Sequence, residues 1–450
     1  MSTLNVDKVD PSTGTALELG TSGDTVTVPT GAGLTVTDEV KTNKISPATG
    51  TAFALGDSGD TFTVPSGATI VNSGTATGFG INQTSFLPTA APLIINGDMQ
   101  IAQRATSKTG VTNGDFGIWT CDRINFTESG TMSAVIDITQ EALTSVNAYT
   151  DGFSNAYKID VTTADASLAA DDFYRTNYRI EGQDLQVFKK GTANAEKFTL
   201  AFWVKATKTG TNIVELNDND NGRHCCAAYT IDTTNTWEHK VLNFAADTTG
   251  VWGNDNAESL RINFILGAGS NYTSGTLATA WASNTTANIA VGQVNNFDST
   301  SNNVHITAIQ LEVGEYTSSD LPPFRFESYG DNLRRCWRYF RAMLPADNLQ
   351  ANVRMGVGNA ISTTVAQVNH ILPVRMRTTP SLVKSADDTD MYLYQATGGS
   401  PGQTAMALTG NDSSSLVGTQ HTVASGLTST GACQILAGNT DARLSFNAEL

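Results

Sequence analysis

Three aromatic residues in loop-like stretches have the surroundings best suited to binding chemistry. Trp252 lies in TTGVWGND, Tyr272 in AGSNYTSG and Trp281 in ATAWASN, so polar side chains flank each of them. The face of an aromatic ring carries negative potential, which attracts the C–H groups of a sugar ring. The hydroxyl groups of the same sugar can bond to the flanking polar side chains. The three residues are therefore a candidate glycan-binding platform, and packing over the edge of a β-sandwich is the alternative.

Catalytic and metal-binding motifs are missing from the rest of the sequence. It contains no HExxH, no phosphate-binding P-loop, no nucleophile elbow and no dinucleotide fingerprint. Asn217 to Gly222 begins like a calcium loop, but the twelfth position is Ala228, where such a loop needs glutamate, so a hairpin turn is predicted. We predict no metal, no cofactor and no catalytic residue, although acidic residues are plentiful enough to leave glycoside hydrolysis open. No two of the five histidines stand at metal-ligand spacing: His224, His239, His305, His370 and His421.

Charge and cysteine content exclude several classes of partner. The formal net charge of −16 argues against a basic face for nucleic acid or anionic membrane. The sequence has no apolar secretion signal and no run near the roughly 18 apolar residues that a membrane-spanning helix needs. We therefore expect synthesis in a cytoplasm and no membrane insertion. The five cysteines fit no zinc pattern and are predicted to be reduced and buried, with adjacent Cys225 and Cys226 on opposite faces of a strand.

The elements that must position these residues are mainly β-strands. In the run from Phe198 to Lys205, Phe198, Leu200, Phe202 and Val204 share one face, and Trp203 lies on the other face and is assigned to packing. Asn221-Gly222 is a strong hairpin turn. About nine short strands predict an antiparallel jelly-roll sandwich over residues 93–330. The strand candidates are Met132–Ile138, Ala156–Val161, Tyr178–Ile180, Phe198–Ala206, Asn212–Leu216, Cys226–Ile231, Trp237–Phe244, Leu260–Leu266 and Val304–Val313.

One helix and a second β domain follow the predicted sandwich. Residues 331–344 (DNLRRCWRYFRAML) predict a helix capped by Asp331. Arg334, Arg338 and Arg341 form a row on it, either as a solvated flank or as partners of acidic groups across an oligomer interface. Residues 345–450 predict a distal β domain with long loops, where recognition residues usually lie. Its strand candidates are Val365–Leu372, Met391–Tyr394, Leu416–Val417, Cys433–Leu436 and Arg443–Phe446.

The N-terminal part of the chain contains one segment written twice. Residues 6–34 and 42–70 match with a constant offset of 36 positions. Each copy has too few apolar residues to offset an ordering cost of roughly 1–2 kcal/mol per residue, so a copy needs neighbours to fold. We predict a β-rich repeat shaft over residues 1–73, formed by a parallel homotrimer, and a neck over residues 74–92. A disordered leader is the alternative.

The chain resembles fibre proteins of tailed bacteriophages, notably marine podophages. The resemblance is carried by the opening MSTLNVDKVDPSTGTALELGTSGDTVTVPTGA and its second copy, by INGDMQIAQR at residues 95–104, and by IQLEVGEYTSSDLPPFRFESYGDNLRRCWRYF at residues 309–340. Ala105 and Ile124 depart from the pattern, where glycine and an aromatic residue are common. The resemblance implies a trimeric virion appendage with a jelly-roll domain like a carbohydrate-binding module. It implies contact with host-surface glycan and no catalytic residues.

Three functions follow from the sequence. The first is a trimeric tail fibre for host recognition and adsorption, attached through its N-terminal region to other tail or portal-proximal proteins of the virion. The second is a head-attached fibre or decoration protein with the same architecture. The third is a tailspike enzyme that degrades host polysaccharide. The first is our main prediction, with host surface polysaccharide as the partner and the virion as the location.

Overall fold

The computed structural model describes residues 91–144, 146–344, 350–396 and 399–450. These residues belong to one compact unit, Asn82–Leu450. The predicted repeat shaft and all but the last two residues of the predicted neck lie outside the described residues. The shaft, its trimeric assembly and the neck therefore stay predictions.

Two antiparallel six-stranded sheets form the larger part of the fold. Sheet 1 has the strand order β1-β3-β4-β12-β6-β9, and sheet 2 has the order β11-β8-β7-β10-β5-β2. The predicted hairpin is confirmed, because β7 and β8 pair up to Asp218 and Arg223 on either side of Asn221-Gly222. In chain order the strands are β1 (Ser107–Val111), β2 (Asn125–Ser129), β3 (Val135–Ala142), β4 (Asn155–Thr163), β5 (Phe173–Glu181), β6 (Phe198–Ala206), β7 (Gly210–Asp218), β8 (Arg223–Ile231), β9 (Glu238–Phe244), β10 (Glu258–Ala268), β11 (Ala282–Ser283) and β12 (Asn303–Val313).

The hydrophobic core lies between these two sheets. Phe198, Leu200, Phe202 and Val204 of β6 are all buried in it, as the alternation predicts. Each such side chain contributes about 1.5–3 kcal/mol when it leaves water. The predicted antiparallel sandwich is therefore confirmed. Two one-turn helices, α1 (Asn147–Thr150) and α2 (Ser270–Thr273), lie in its connections.

The predicted helix over residues 331–344 is wrong in its second half. The helix α3 spans Tyr329–Cys336, and the side chain of Ser328, rather than Asp331, caps its N-terminus. The chain then turns and forms the strand β13 (Phe340–Ala342), in which Phe340 pairs with Asn447. The pairing partner lies more than 100 residues further along the chain. The helical spacing of apolar residues therefore continues beyond the end of α3, where the backbone pairs with a distant strand instead.

A second set of strands has its own core after residue 350. A six-stranded sheet has the order β17-β20-β14-β15-β19-β18, and a three-stranded sheet has the order β13-β21-β16. Both contribute to a separate cluster of buried apolar residues that includes Met391, Ile435 and Phe446. The chain end returns to the sandwich, where Arg123 donates to Glu449 and Arg179 to the Leu450 carbonyl. The strands are β14 (Arg354–Ala360), β15 (Val365–Ile371), β16 (Ser381–Lys384), β17 (Met391–Tyr394), β18 (Gln403–Leu408), β19 (Leu416–Val423), β20 (Ala432–Ala437) and β21 (Leu444–Asn447).

All five cysteines are free and buried, as predicted. Cys225 lies in the core between the sheets, and Cys226 lies in a separate apolar cluster, so the two adjacent thiols point to opposite faces of β8. Burial raises the pKa of the Cys225 thiol to about 12, which keeps it protonated. No helix within the described ranges has the length and apolar character to cross a membrane.

Candidate functional site

The structure buries one of the three aromatic residues predicted to bind glycan. Trp252 is only 3% exposed and belongs to the core of the sandwich. Its ring meets the rings of Phe188 and Phe198 edge to face, with centroids 6.2 and 5.8 Å away. The prediction of an exposed ring is therefore wrong for Trp252, because the loop folds inward and the indole fills space between two phenylalanines.

The other two predicted aromatic residues lie in different surroundings. Trp281 is half-buried, and its indole N–H donates to the Ala245 carbonyl at 2.8 Å. Its ring centroid lies 5.8 Å from that of Phe198, and the Lys190 ammonium lies over both indoles, so Trp281 and Trp252 share these two neighbours. Tyr272 is also half-buried, but it stacks on Phe173 at 4.3 Å in another apolar cluster. The structure thus brings Trp252 and Trp281 together and places Tyr272 in a different cluster.

An aromatic cleft of about 280 Å³ lies on the outer face of sheet 1. One wall is the pair of Trp203 on β6 and His239 on β9, which stand directly opposite each other in the register of the two strands. Their rings stack with centroids 5.2 Å apart and planes inclined by 28°. Neither ring is fully buried, since Trp203 is half-buried and His239 is exposed. Both therefore present apolar surface to the cleft.

Three phenylalanines form another part of the cleft lining. Phe153, Phe324 and Phe326 contact one another with ring centroids 4.9 to 5.0 Å apart. Phe326 is 49% exposed, although large apolar side chains are usually buried. A cluster of aromatic rings that keeps one member in solvent is available to a ligand.

Two contacts attach the segment carrying Phe324 and Phe326 to sheet 1. The Gln310 side chain on β12 donates to the Pro322 carbonyl at 2.9 Å. Arg325 donates to both oxygens of Glu312, also on β12, at 2.8 Å. Both contacts come from one nitrogen, Nη2, and charge-assisted hydrogen bonds of this kind are stronger than neutral ones. The cleft is therefore bounded by a strand pair and by a loop that is anchored to the same sheet.

Polar groups border the aromatic surface. The side chains of Asp151, Gln310 and Ser318 line the cleft beside the rings. Although His239 is exposed, desolvation of part of its ring lowers the pKa of the imidazole, and the nearby Asp151 only partly opposes this shift. His239 is therefore neutral at neutral pH, and its ring can stack without a charge to solvate. The cleft combines flat apolar faces with hydrogen-bonding edges.

Sequence reasoning assigned Trp203 to packing, and Trp203 does pack against a buried cluster that includes Phe153 and Trp237. It did not predict that Trp203 also lines this cleft. A signal was present, because Trp203 falls on the face of β6 opposite to Phe202 and Val204, which enter the core. A tryptophan on the non-core face of an alternating strand is a candidate for a surface contact. The pairing of Trp203 with His239 could not be read from the sequence without the register of β6 and β9.

One buried cluster has the donor types that hold a metal ion. Potential ligand atoms of Glu215, His224 and Cys226 lie within 4.8 Å of one another. The set of nitrogen, sulfur and oxygen donors suits zinc. However, His224 Nδ1 already lies 3.1 Å from Glu215 Oε1, and Asn263 donates to the other oxygen at 2.8 Å. These hydrogen bonds account for the buried carboxylate without a metal.

No protein-family model matches the chain, and no curated protein matches it. Among solved structures, it is similar to the enzymatically active domain of tailspike protein 4 of bacteriophage CBA120, with 12% identity and a TM-score of 0.26; the match covers 49% of this chain and 21% of the tailspike chain. A putative sugar binding protein from Bacteroides thetaiotaomicron matches with 14% identity and a TM-score of 0.25, covering 50% of this chain and all of the other. TmCBM61 in complex with β-1,4-galactotriose matches with 6% identity and a TM-score of 0.23, covering 50% of this chain and 99% of the other. At scores this low, none of these likenesses decides the function.

Proposed function

We propose that this chain is a structural fibre protein of a tailed bacteriophage and that its sandwich binds host-surface glycan in the cleft beside Trp203. The observation that carries the glycan-binding part is the stacked pair of Trp203 and His239, 5.2 Å apart and open to solvent. The repeated N-terminal segment and the fibre-like motifs support the role in a virion. Tail attachment is the main proposal, and head attachment is the alternative.

The size of the cleft indicates how much glycan it takes. Ligand pockets for drug-sized molecules have volumes of about 300–1,000 Å³. The cleft holds about 280 Å³, which suits one sugar unit better than an extended chain. The apolar face of that unit would lie on Trp203, and its hydroxyl groups would bond to Asp151 and Gln310. Aromatic contacts contribute about 0.5–1.5 kcal/mol beyond the burial of area, so one such site gives weak binding. Three chains in one fibre would strengthen it by avidity.

Binding rather than cleavage is proposed for this cleft. Asp151 is the one carboxylate that lines it among the described residues. Glycoside hydrolysis generally uses two carboxylates on either side of the scissile bond. We therefore expect purified protein to leave the chain length of bound polysaccharide unchanged. Shortened polysaccharide would favour the tailspike enzyme instead.

The experiment that tests the cleft is glycan-array binding by the full chain, compared with the variant Trp203→Ala. We expect the variant to lose at least about tenfold in affinity for the bound glycans, because each tenfold costs only about 1.4 kcal/mol and the indole forms a stacking wall. Phe116→Ala is the matched control, since Phe116 is 66% exposed and lies outside the cleft. Full binding by a folded Trp203→Ala variant would place the glycan elsewhere. An array to which the unaltered chain does not bind would contradict glycan binding itself.

Assembly is tested separately. Light scattering on the purified chain should give three times the chain mass of 47.6 kDa. A monomeric mass would contradict the fibre proposal, but it would not affect the proposal that the cleft binds glycan. If the mass is trimeric, imaging of intact particles would decide between tail and head attachment.

A further inference from the structure

A second cavity, of about 440 Å³, lies beside α3 and β13. Its lining includes the side chains of Gln140, Tyr329, Leu333, Trp337 and Arg341. None of the residues that line this cavity lines the cleft beside Trp203. The two sites are therefore separate, and an argument about one does not depend on the other.

Arg341 is a half-buried cation with no carboxylate partner among the described residues. Its Nε and Nη1 atoms are buried and have no hydrogen-bond partner among the described residues. Burial lowers the pKa of the guanidinium, and no neighbouring acid raises it again. By contrast, Arg338, three residues earlier, donates to both oxygens of Glu181 at 2.6 and 2.5 Å. Two arginines of the row predicted from the sequence thus have opposite environments.

Leaving buried guanidinium N–H groups without an acceptor costs free energy. A buried ionised group is normally paired, because water is lost and nothing replaces it. The Arg341 guanidinium lies 4.5 Å from the centroid of the Trp337 ring. A cation–π contact of this kind offsets part of the desolvation but supplies no acceptor for the N–H groups. The unused donors therefore point to an anionic group that is not part of the described chain.

We propose that this cavity binds a carboxylate-bearing sugar, with the carboxylate on Arg341. The guanidinium fork matches a carboxylate with two parallel hydrogen bonds. Trp337 and Leu333 supply apolar surface for the sugar ring. The Gln140 side-chain nitrogen is occupied by the Met99 and Gln100 carbonyls, and its Oε1 has no donor among the described residues. That oxygen can accept a hydroxyl of the same sugar.

The cavity has room for such a ligand. A volume of about 440 Å³ lies within the range of about 300–1,000 Å³ that is usual for ligand pockets. A free inorganic anion would use the guanidinium alone and leave the aromatic and amide lining without a role. The chemistry of the whole lining therefore favours an acidic sugar over a simple anion. The inference extends glycan binding to a second site and holds whether or not the Trp203 cleft binds glycan.

The test is calorimetric titration of the full chain with D-galacturonate, D-glucuronate and N-acetylneuraminate, with D-galactose as the neutral comparison and inorganic sulfate as the simple anion. We expect at least one acidic sugar to bind more tightly than galactose and sulfate. Arg341→Met should weaken that binding at least tenfold, and Arg341→Lys should weaken it less. Arg334→Met is the matched control, because Arg334 lies on α3 but does not line this cavity.

A second measurement separates ligand binding from a structural role. Without ligand, Arg341→Met should unfold at the same temperature as the unaltered chain or above it, since the substitution removes two buried donors that have no partner among the described residues. A clear fall in unfolding temperature would make Arg341 a structural residue and overturn the proposal. Equal binding by Arg341→Met, binding of sulfate alone, or no binding of any acidic sugar would overturn it as well. Trp203→Ala should retain the acidic sugar, which distinguishes failure here from failure of the first cleft.

Discussion

Replacement of Lys190 by methionine should strongly destabilise the sandwich. The Lys190 side chain is fully buried, and its ammonium lies 2.5 Å from Asp218 and 3.0 Å from Asp247. The ammonium also donates to the carbonyls of Thr249 and Gly250 at 3.0 and 2.8 Å. Four oxygens thus surround one internal cation. Methionine fills a similar volume, but it removes the positive charge that the two carboxylates are paired with.

The magnitude follows from which charges lose their partner. Asp247 retains two hydrogen bonds from Arg223, at 2.8 and 3.0 Å. Asp218 is fully buried and, among the described residues, keeps the backbone N–H and the side-chain amide of Asn221 as its donors. Removing one member of a buried pair costs about 3–5 kcal/mol. With a shift of about 2–4 °C per kcal/mol for a domain of this size, the unfolding temperature should fall by roughly 6–20 °C.

The assay is thermal unfolding followed by near-ultraviolet circular dichroism, which reports on the aromatic residues of the core. Lys189→Met is the control, because Lys189 is half exposed and pairs at the surface with Glu196 at 2.7 Å. Such a pair is worth at most about 1 kcal/mol, so the control should shift little. The double substitution of Lys190→Met with Asp218→Asn should recover part of the loss. If Lys190→Met lowers the free energy of unfolding by less than about 1 kcal/mol, the reasoning is refuted, because the loss of one member of a buried pair should cost more.

Two further predictions concern other buried titratable groups. Burial lowers the pKa of His421 to about 3 and that of His370 to about 4, so stability is complete above the unfolded pKa of 6.5 and is lost as pH falls towards those values. The free energy of unfolding, measured in urea, should therefore fall between about pH 7 and about pH 4, and His421→Gln should make this fall smaller by roughly 3 kcal/mol. A variant with the same pH profile as the unaltered chain would contradict this. Arg338→Met should cost about 3–5 kcal/mol, because it strips the fully buried Glu181 carboxylate of a bidentate partner. The same variant combined with Glu181→Gln should be more stable than Arg338→Met alone, and an equal or lower unfolding temperature would refute the pairing.

Local sequence patterns were sufficient for most of the strands that form the core of the sandwich. They were not sufficient for β14, which contributes Met355 and Ala360 to the second core. The strand Phe198–Ala206 has the bounds that its alternation predicts, and Asn221-Gly222 lies in the turn between β7 and β8. Both depend on neighbours within a few residues. The edge strands β1 and β2 were missed, since their few apolar residues leave little alternation to detect.

The candidate sites could not be predicted in the same way. Trp252 lies in a polar loop and is buried, whereas Trp203 lies in a regular strand and lines an open cleft. The exposure of an outward-facing residue depends on which distant segment covers it. Phe324 and Phe326, more than 100 residues after Trp203, form part of the cleft lining.

The sequence alone determined that the described chain is built from β-strands, which faces of those strands enter the core, and that its thiols are reduced. These properties follow from side-chain alternation and local turns. Only the tertiary structure decided where α3 ends, which arginine finds a carboxylate and which remains unpaired. The physical reason is that charges and helix ends are satisfied by groups such as Glu181 and Asn447, which approach only after the whole chain has folded.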